Sequence, residues 1–186
     1  MKDKIYRLTE IFYSIQTEGK FSGHPAIFIR FSGCNKSCWF CDTDFSNKLN
    51  LSVDEIYDRI IDYETDLIII TGGEPYLQVD NDFINYFQNK GYKLNVETNG
   101  SIEKDLDFNW ITCSPKLGGI KLKECDELKI VYDKDLIEKD YDIVYKYLYI
   151  QPLWDGDECN VLETIDYIKK FGGILSYQLQ KIIDIE

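Results

Sequence analysis

Three of the six cysteines, Cys34, Cys38 and Cys41, crowd into eight residues of the stretch F-S-G-C-N-K-S-C-W-F-C-D-T. A short loop leaving one strand end turns three such thiolates toward one region, and thiolates suit iron–sulfur clusters and zinc. On a [4Fe–4S] cubane they satisfy three irons. The fourth is then free to bind the amino and carboxylate groups of a small molecule, which is the logic of S-adenosylmethionine (SAM) chelation. A Cys3His zinc site using His24, the only histidine in the chain, is the competing reading. His24 lies in a Ser-Gly-His-Pro context, however, where an exposed turn histidine is the ordinary expectation. Cys113, Cys125 and Cys159 are each isolated in sequence and read as small buried apolar residues without a role.

Polar residues recur where other β-rich runs end. The apolar run 67–70 enters T-G-G-E-P, so that Thr71, Gly72, Gly73 and Glu74 form a glycine turn of the kind that lets backbone approach a ligand closely. Alone, it could be an ordinary loop with Glu74 as a helix-start carboxylate. Two further strand ends carry Glu97-Thr98-Asn99-Gly100 and Ser114-Pro115-Lys116. Their position is that of the functional face of a (β/α) barrel. Asn-Gly is also a frequent turn former, and Ser114 and Lys116 equally fit a plain strand exit.

The elements that must position these groups follow from hydrophobic period and punctuation. Strands are expected at 7–13, 26–31, 67–71, 93–97, 110–113, 127–131, 146–150 and 174–178, alternating with helices. The apolar runs imply a sheet buried on both faces. The clearest helix starts at Ser52, where S-V-D-E places Glu55 as a capping-box partner and Val53, Ile56, Ile60 and Ile61 follow at helical spacing. Further helices are expected at 81–90 and 161–171, the latter closed by Gly172 and Gly173. The acidic, tyrosine-rich segment 133–147 reads as a solvated helix or loop.

The 186 residues carry 21 Lys plus Arg against 33 Asp plus Glu, a formal charge of −12 that disfavours nucleic-acid and anionic-membrane partners. With 44% hydrophobic residues the chain can bury a real core. No repeat or linker divides it, so one domain over 1–186 is expected. The N-terminal M-K-D-K-I-Y-R-L-T-E-I-F lacks the apolar core of a signal peptide, and no apolar run is long enough to span a bilayer. These features imply a cytoplasmic protein whose clustered cysteines serve a metal or catalysis, not disulfides.

The C-x3-C-x2-C spacing with an aromatic residue before the last cysteine resembles the radical SAM signature, and T-G-G-E-P downstream resembles that superfamily's GGE motif. Upstream, E-I-F-Y-S-I-Q-T-E-G (10–19), then G-H-P-A-I-F-I-R (23–30) and the C-D-T ending of the cysteine loop, resemble the 7-carboxy-7-deazaguanine synthase family. The resemblance continues through Y-I-Q-P to L-S-Y-Q-L-Q-K (175–181). It implies an α/β fold, specifically an abbreviated, partial radical SAM (β/α) barrel, since the chain is too short for eight full repeats.

The implied chemistry is a carbon–nitrogen lyase reaction: SAM- and Mg2+-dependent radical ring contraction of 6-carboxy-5,6,7,8-tetrahydropterin to 7-carboxy-7-deazaguanine with loss of ammonia, in queuosine-type biosynthesis. By the same resemblance Cys34, Cys38 and Cys41 hold a [4Fe–4S] cluster. Gly72, Gly73, Glu74, Thr98, Asn99, Ser114, Lys116 and Gln151 contact SAM, and Gln16, Glu18, Arg30 and Gln180 contact the substrate. Glu18 and Arg30 suit a ligand with guanidine-like N–H donors and a carboxylate. Thr43 offers a hard oxygen to Mg2+. A flavodoxin or ferredoxin-type electron donor and a homodimer are also implied. A radical SAM activating enzyme that makes a glycyl radical on a partner protein is the alternative, against which the set Gln16, Glu18 and Arg30 argues. Two positions depart from the family pattern. Thr17 replaces a glycine, and Gln180 replaces a histidine, keeping hydrogen bonding but losing titration near neutral pH. The second bears on substrate identity, affinity or turnover and leaves cluster and SAM chemistry unaffected.

Overall fold

The computed structural model describes residues 4–137, 140–156, 158–183 and 185. Its β-branched and aromatic runs form nine strands: β1 (Tyr6–Ile15), β2 (Pro25–Phe31), β3 (Leu49–Leu51), β4 (Leu67–Gly72), β5 (Lys93–Thr98), β6 (Trp110–Cys113), β7 (Glu124–Val131), β8 (Val144–Gln151) and β9 (Ile174–Leu175). They join one sheet in the order β3-β1-β2-β4-β5-β6-β7-β8-β9. β1 runs antiparallel to both β2 and β3, and every pairing from β2 to β9 is parallel. The helices are α1 (Val53–Ile60), α2 (Asn81–Gln88), α3 (Lys134–Ile137), α4 (Val161–Phe171) and α5 (Gln180–Ile183). β3 and β9 remain separate edges, so the sheet is a partial barrel.

The two faces of the sheet are filled differently. Ile68, Ile70, Leu94 and Val96 turn outward into a core shared with Ile56 and Ile60 of α1 and Phe83 and Phe87 of α2. On the inner face Ala26, Leu67 and Ile69 make a small apolar layer with Phe21 and Phe28. Because side chains alternate along a strand, the next inward residues on β2 and β4 are Arg30 and Thr71. The inner face therefore changes from apolar to polar toward the C-terminal strand ends. Both faces are buried, as expected, but only one is apolar throughout.

Local signals behave as the sequence implies at α1, where Ser52 N donates to Glu55 Oε2 at 2.8 Å and Ser52 Oγ accepts from Glu55 N at 3.3 Å. α2 is capped by Asp80, which accepts from Phe83 N at 3.0 Å, and α4 ends at Gly172 with φ +89°. Cys113 and Cys125 are buried and Cys159 is half-buried.

Two expectations need correction, and one strand lies where none was expected. The strand expected at 174–178 shrinks to two residues, because the chain leaves the sheet after Leu175 to carry Gln178 and Gln180 inward. Within 133–147, α3 buries Leu136 fully and β8 already begins at Val144, so the segment is not simply solvated; Glu138 and Lys139 lie outside the described residues. β3, too short for a periodic signal, is a strand because it pairs with Tyr6, Arg7 and Leu8 of β1. No helix among the described residues is long and apolar enough to cross a membrane.

Candidate active site

The cysteine loop leaves β2 and is stitched to the glycine turn after β4. Gly73 N donates to Phe31 O at 2.9 Å and Glu74 N to Gly33 O at 3.0 Å. A Cβ on Gly73 would sit 2.0 Å from Gly33 O, so only glycine permits this approach. Cys34 and Cys41 are exposed and Cys38 is half-buried, and all three line a cavity of about 590 Å³ at the C-terminal ends of the parallel strands. Burial pushes the Cys38 thiol up, against the pull of the Lys116 charge. No three His, Cys, Asp or Glu side chains among the described residues converge tightly enough to hold a single metal ion.

The wall beside the thiols is built from the next strand ends. Asn99 Nδ2 donates to Asn35 Oδ1 at 3.0 Å and lies 3.9 Å from Cys34 Sγ. Ser114 N donates to Thr98 O at 2.7 Å, and Lys116 Nζ donates to Ser114 Oγ at 2.7 Å. Desolvation, followed by the charge of Lys129, lowers the affinity of the Lys116 amine for its proton. Gly72, Gly73, Thr98, Asn99, Ser114, Lys116 and Gln151 all face the cavity. Gln151, at the end of β8, keeps its Oε1 buried without a hydrogen bond, an acceptor pointing to a missing donor. Glu74 is the exception in this set. Fully buried behind the wall, its carboxylate accepts from Thr98 Oγ1 at 2.7 Å, Asn99 N at 2.8 Å and Tyr76 N at 3.0 Å, bracing the residues that do face the cavity. Burial pushes its carboxyl up, and these donors oppose the shift.

A second cluster lies across the cavity. Gln16 Oε1 accepts from Thr17 N at 2.9 Å and Glu18 N at 3.1 Å, fixing the turn that presents Glu18. Glu18 accepts from Gln178 Nε2 at 2.9 Å and Gln180 Nε2 at 3.1 Å and is ion-paired to Lys129. Burial alone would raise its carboxyl, but the Lys129 charge and these hydrogen bonds hold it well below the usual carboxylate range. Gln180 Oε1 accepts from the Thr17 hydroxyl, so the two departures from the family pattern touch each other. Arg30 faces the same space, its Nε donating to Glu10 Oε1 at 2.6 Å and its guanidinium 5.7 Å from the centre of the Phe12 ring. The ion pair of Arg30 with Glu10 thus coexists with access to the cavity. Thr43, half-buried, lines it beside Cys41.

Sequence reasoning placed Glu97 at a strand end without giving it a contact, and passed over Lys129. Glu97 faces the cavity and accepts from Thr71 Oγ1 at 2.9 Å and Gln16 Nε2 at 3.4 Å. A charged residue at alternate positions of a strand expected to be buried on both faces is the signal that would have found both. His24, in contrast, stays apart. It precedes β2, whose seven residues span about 20 Å, while Cys34 follows it, and His24 Nδ1 lies 3.1 Å from Phe21 O. The two ends of one strand cannot supply one tetrahedral Cys3His site.

Comparison with known proteins agrees with this arrangement. The radical SAM superfamily profile matches residues 28–112. A 7-carboxy-7-deazaguanine synthase of Bacteroides thetaiotaomicron is 37% identical over 96% of this chain and 98% of its own length. One from Haemophilus influenzae is 34% identical over 97% of this chain and 94% of its own. The crystal structure of QueE from Escherichia coli shares the fold with a TM-score of 0.76 over 94% of each chain at 24% identity. Sequence similarity running end to end through the cysteine loop, the glycine turn and the strand ends that frame the cavity means that this chain belongs to the 7-carboxy-7-deazaguanine synthase family of radical SAM enzymes.

Proposed function

We propose that this enzyme converts 6-carboxy-5,6,7,8-tetrahydropterin to 7-carboxy-7-deazaguanine with loss of ammonia, using a [4Fe–4S] cluster, SAM and Mg2+. One observation carries the reading: Cys34, Cys38 and Cys41 open onto a single cavity whose far wall presents Glu18, Gln180 and Arg30. The donor set fits the cluster, since three thiols around a cavity, not a point, suit separate irons. The orphaned Gln151 Oε1 and the tight Gly73 turn fit an adjoining polar ligand such as SAM. When bound, cluster and SAM would together supply the radical hydrogen-abstraction chemistry of the reaction.

The chain's own residues orient and enclose. Arg30, its fork set by Glu10, pairs with the substrate carboxylate. Glu18, ionised, accepts N–H donors from the guanidine-like edge, with Gln16 holding its turn and Gln180 beside it. Thr43 supplies a hydroxyl oxygen to Mg2+, which retains other oxygen ligands. Gly72, Gly73, Thr98, Asn99, Ser114, Lys116 and Gln151 line the SAM side, and Glu74 braces Thr98 and Asn99 there. The cysteine loop is at the surface, with Trp39 63% exposed, which supports access by a flavodoxin or ferredoxin-type donor. We further propose a single-domain, cytoplasmic homodimer. Exposed Ile174 and Leu175 on the edge strand β9 support self-association.

The test is an anaerobic assay of iron–sulfur-reconstituted protein with dithionite, SAM, Mg2+ and the pterin, read by mass spectrometry. Formation of 7-carboxy-7-deazaguanine is expected. Cleavage of SAM to 5′-deoxyadenosine without it would overturn the substrate assignment alone, and no cleavage would overturn the radical chemistry.

A further inference from the structure

Beneath the substrate side of the cavity, one lysine serves three carboxylates. Lys129 projects inward from β7 and is almost wholly buried. It is ion-paired to Glu18 and lies 3.6 Å from Glu97 Oε1. Glu127, two residues earlier on the same face of β7, is buried and accepts from Lys20 N at 3.0 Å. A Cβ on Gly19 would fall 2.2 Å from Glu127 Oε1, so the turn that delivers Glu18 also closes over Glu127. Glu18 and Glu97 face the cavity, whereas Lys129 is absent from its lining. Among the described residues Lys116 is a second, half-buried cation beside this cluster, its Nζ donating to Ser114 Oγ at 2.7 Å.

We propose that Lys129 is a positioning residue: by pairing Glu18 and Glu97 from behind, it keeps Glu18 ionised and both side chains aimed as acceptors into the cavity, and so sets its selectivity for a substrate edge rich in N–H donors. The inference rests on the substrate reading of Glu18 given above. Its physical basis is that a desolvated carboxylate such as Glu18, set beside other carboxylates, stays charged only with a cation against it. The groups facing Glu18 are Lys129, Gln178 and Gln180, with the charge of Lys116 also reaching it. Those facing Lys129 are Glu18, Glu97 and Glu127, with Lys116 near enough for the two charges to interact and Tyr149 its register partner on β8. Without Lys129, burial would push the Glu18 carboxyl toward its protonated form, a donor where the substrate also donates. Raising the pH would restore the acceptor.

The test measures pterin affinity of the cluster-loaded enzyme from pH 6 to 9, alongside dithionite-driven SAM cleavage without pterin. For Lys129→Met, affinity about tenfold or more below wild type at the acid end, recovering as pH rises, is expected with SAM cleavage retained. Lys129→Arg should restore a flat profile. Infrared difference spectra should show a protonated-carboxyl band in Lys129→Met that disappears in Glu18→Gln/Lys129→Met. Should Lys129→Met not fold, a double variant that folds supports the same conclusion, since the neutral pair needs no counter-ion. Unchanged affinity at every pH, no such band, or a double variant that also fails to fold would overturn it. Wild-type enzyme that does not bind the pterin would overturn the substrate reading instead, while the carboxyl band still decides the role of Lys129.

Discussion

Arg30 stands where an apolar strand turns polar, and its single described ion pair, to Glu10, orients the guanidinium without removing it from the cavity. Replacing it with alanine should abolish pterin conversion while 5′-deoxyadenosine still forms; liquid chromatography of both products checks this. Thr17 offers a finer probe. Its hydroxyl occupies Gln180 Oε1, so the Gln180 amide must present Nε2 to Glu18. Thr17→Ala frees that amide to rotate, and KM for the pterin should rise by about three- to tenfold with cleavage of SAM unaltered. At this scale the cysteines, the glycine turn and the strand-end polar residues were legible from spacing. The direction of the Glu74 carboxylate was not, because three donors from Tyr76, Thr98 and Asn99 claim it only once β4 and β5 lie side by side. For Lys129 the alternation of charge along D-E-L-K-I-V marks the position, but which carboxylate the lysine serves is fixed only when the Glu18 turn folds over it.

Among the elements, the join between the cysteine loop and the turn after β4 is the most demanding. Gly73→Ala forces a methyl against Gly33 O and should cost about 1–3 kcal/mol, lowering both Tm and the iron bound per chain after reconstitution. Calorimetry and iron analysis test the two together. Strands with strong β-branched runs, such as β4, were readable to within a residue, since their periodicity is their packing. β3 and β9 were not, because each is a strand only through a neighbour: β3 by pairing with β1, β9 by pairing with Tyr149 and Ile150 of β8. The capping box of α1 and the glycine after α4 were readable because those signals are local.

For the whole molecule, the buried ion pair links stability to pH. The Glu18 carboxyl moves from its ordinary 4.5 to about 2 in the folded chain: burial opposes the shift, and Lys129 and the two glutamine amides overcome it. A depressed carboxylate contributes stability above its unfolded value and loses it as pH falls through the folded one. The difference in urea midpoint between wild type and Glu18→Gln should therefore be constant above about pH 5 and vanish progressively toward pH 2. Equilibrium urea titrations across that range, paired for the two proteins, measure it.

The open barrel also imposes an order on the birth of the site. Cys34 through Gln151 are in place once β8 has been synthesised, yet the bonds that finish the substrate wall, Gln178 and Gln180 to Glu18 and Lys181 to Asp42 at 2.7 Å, wait for residues 176–181. In chain order the thiols thus come well before the last pieces of the wall that faces them.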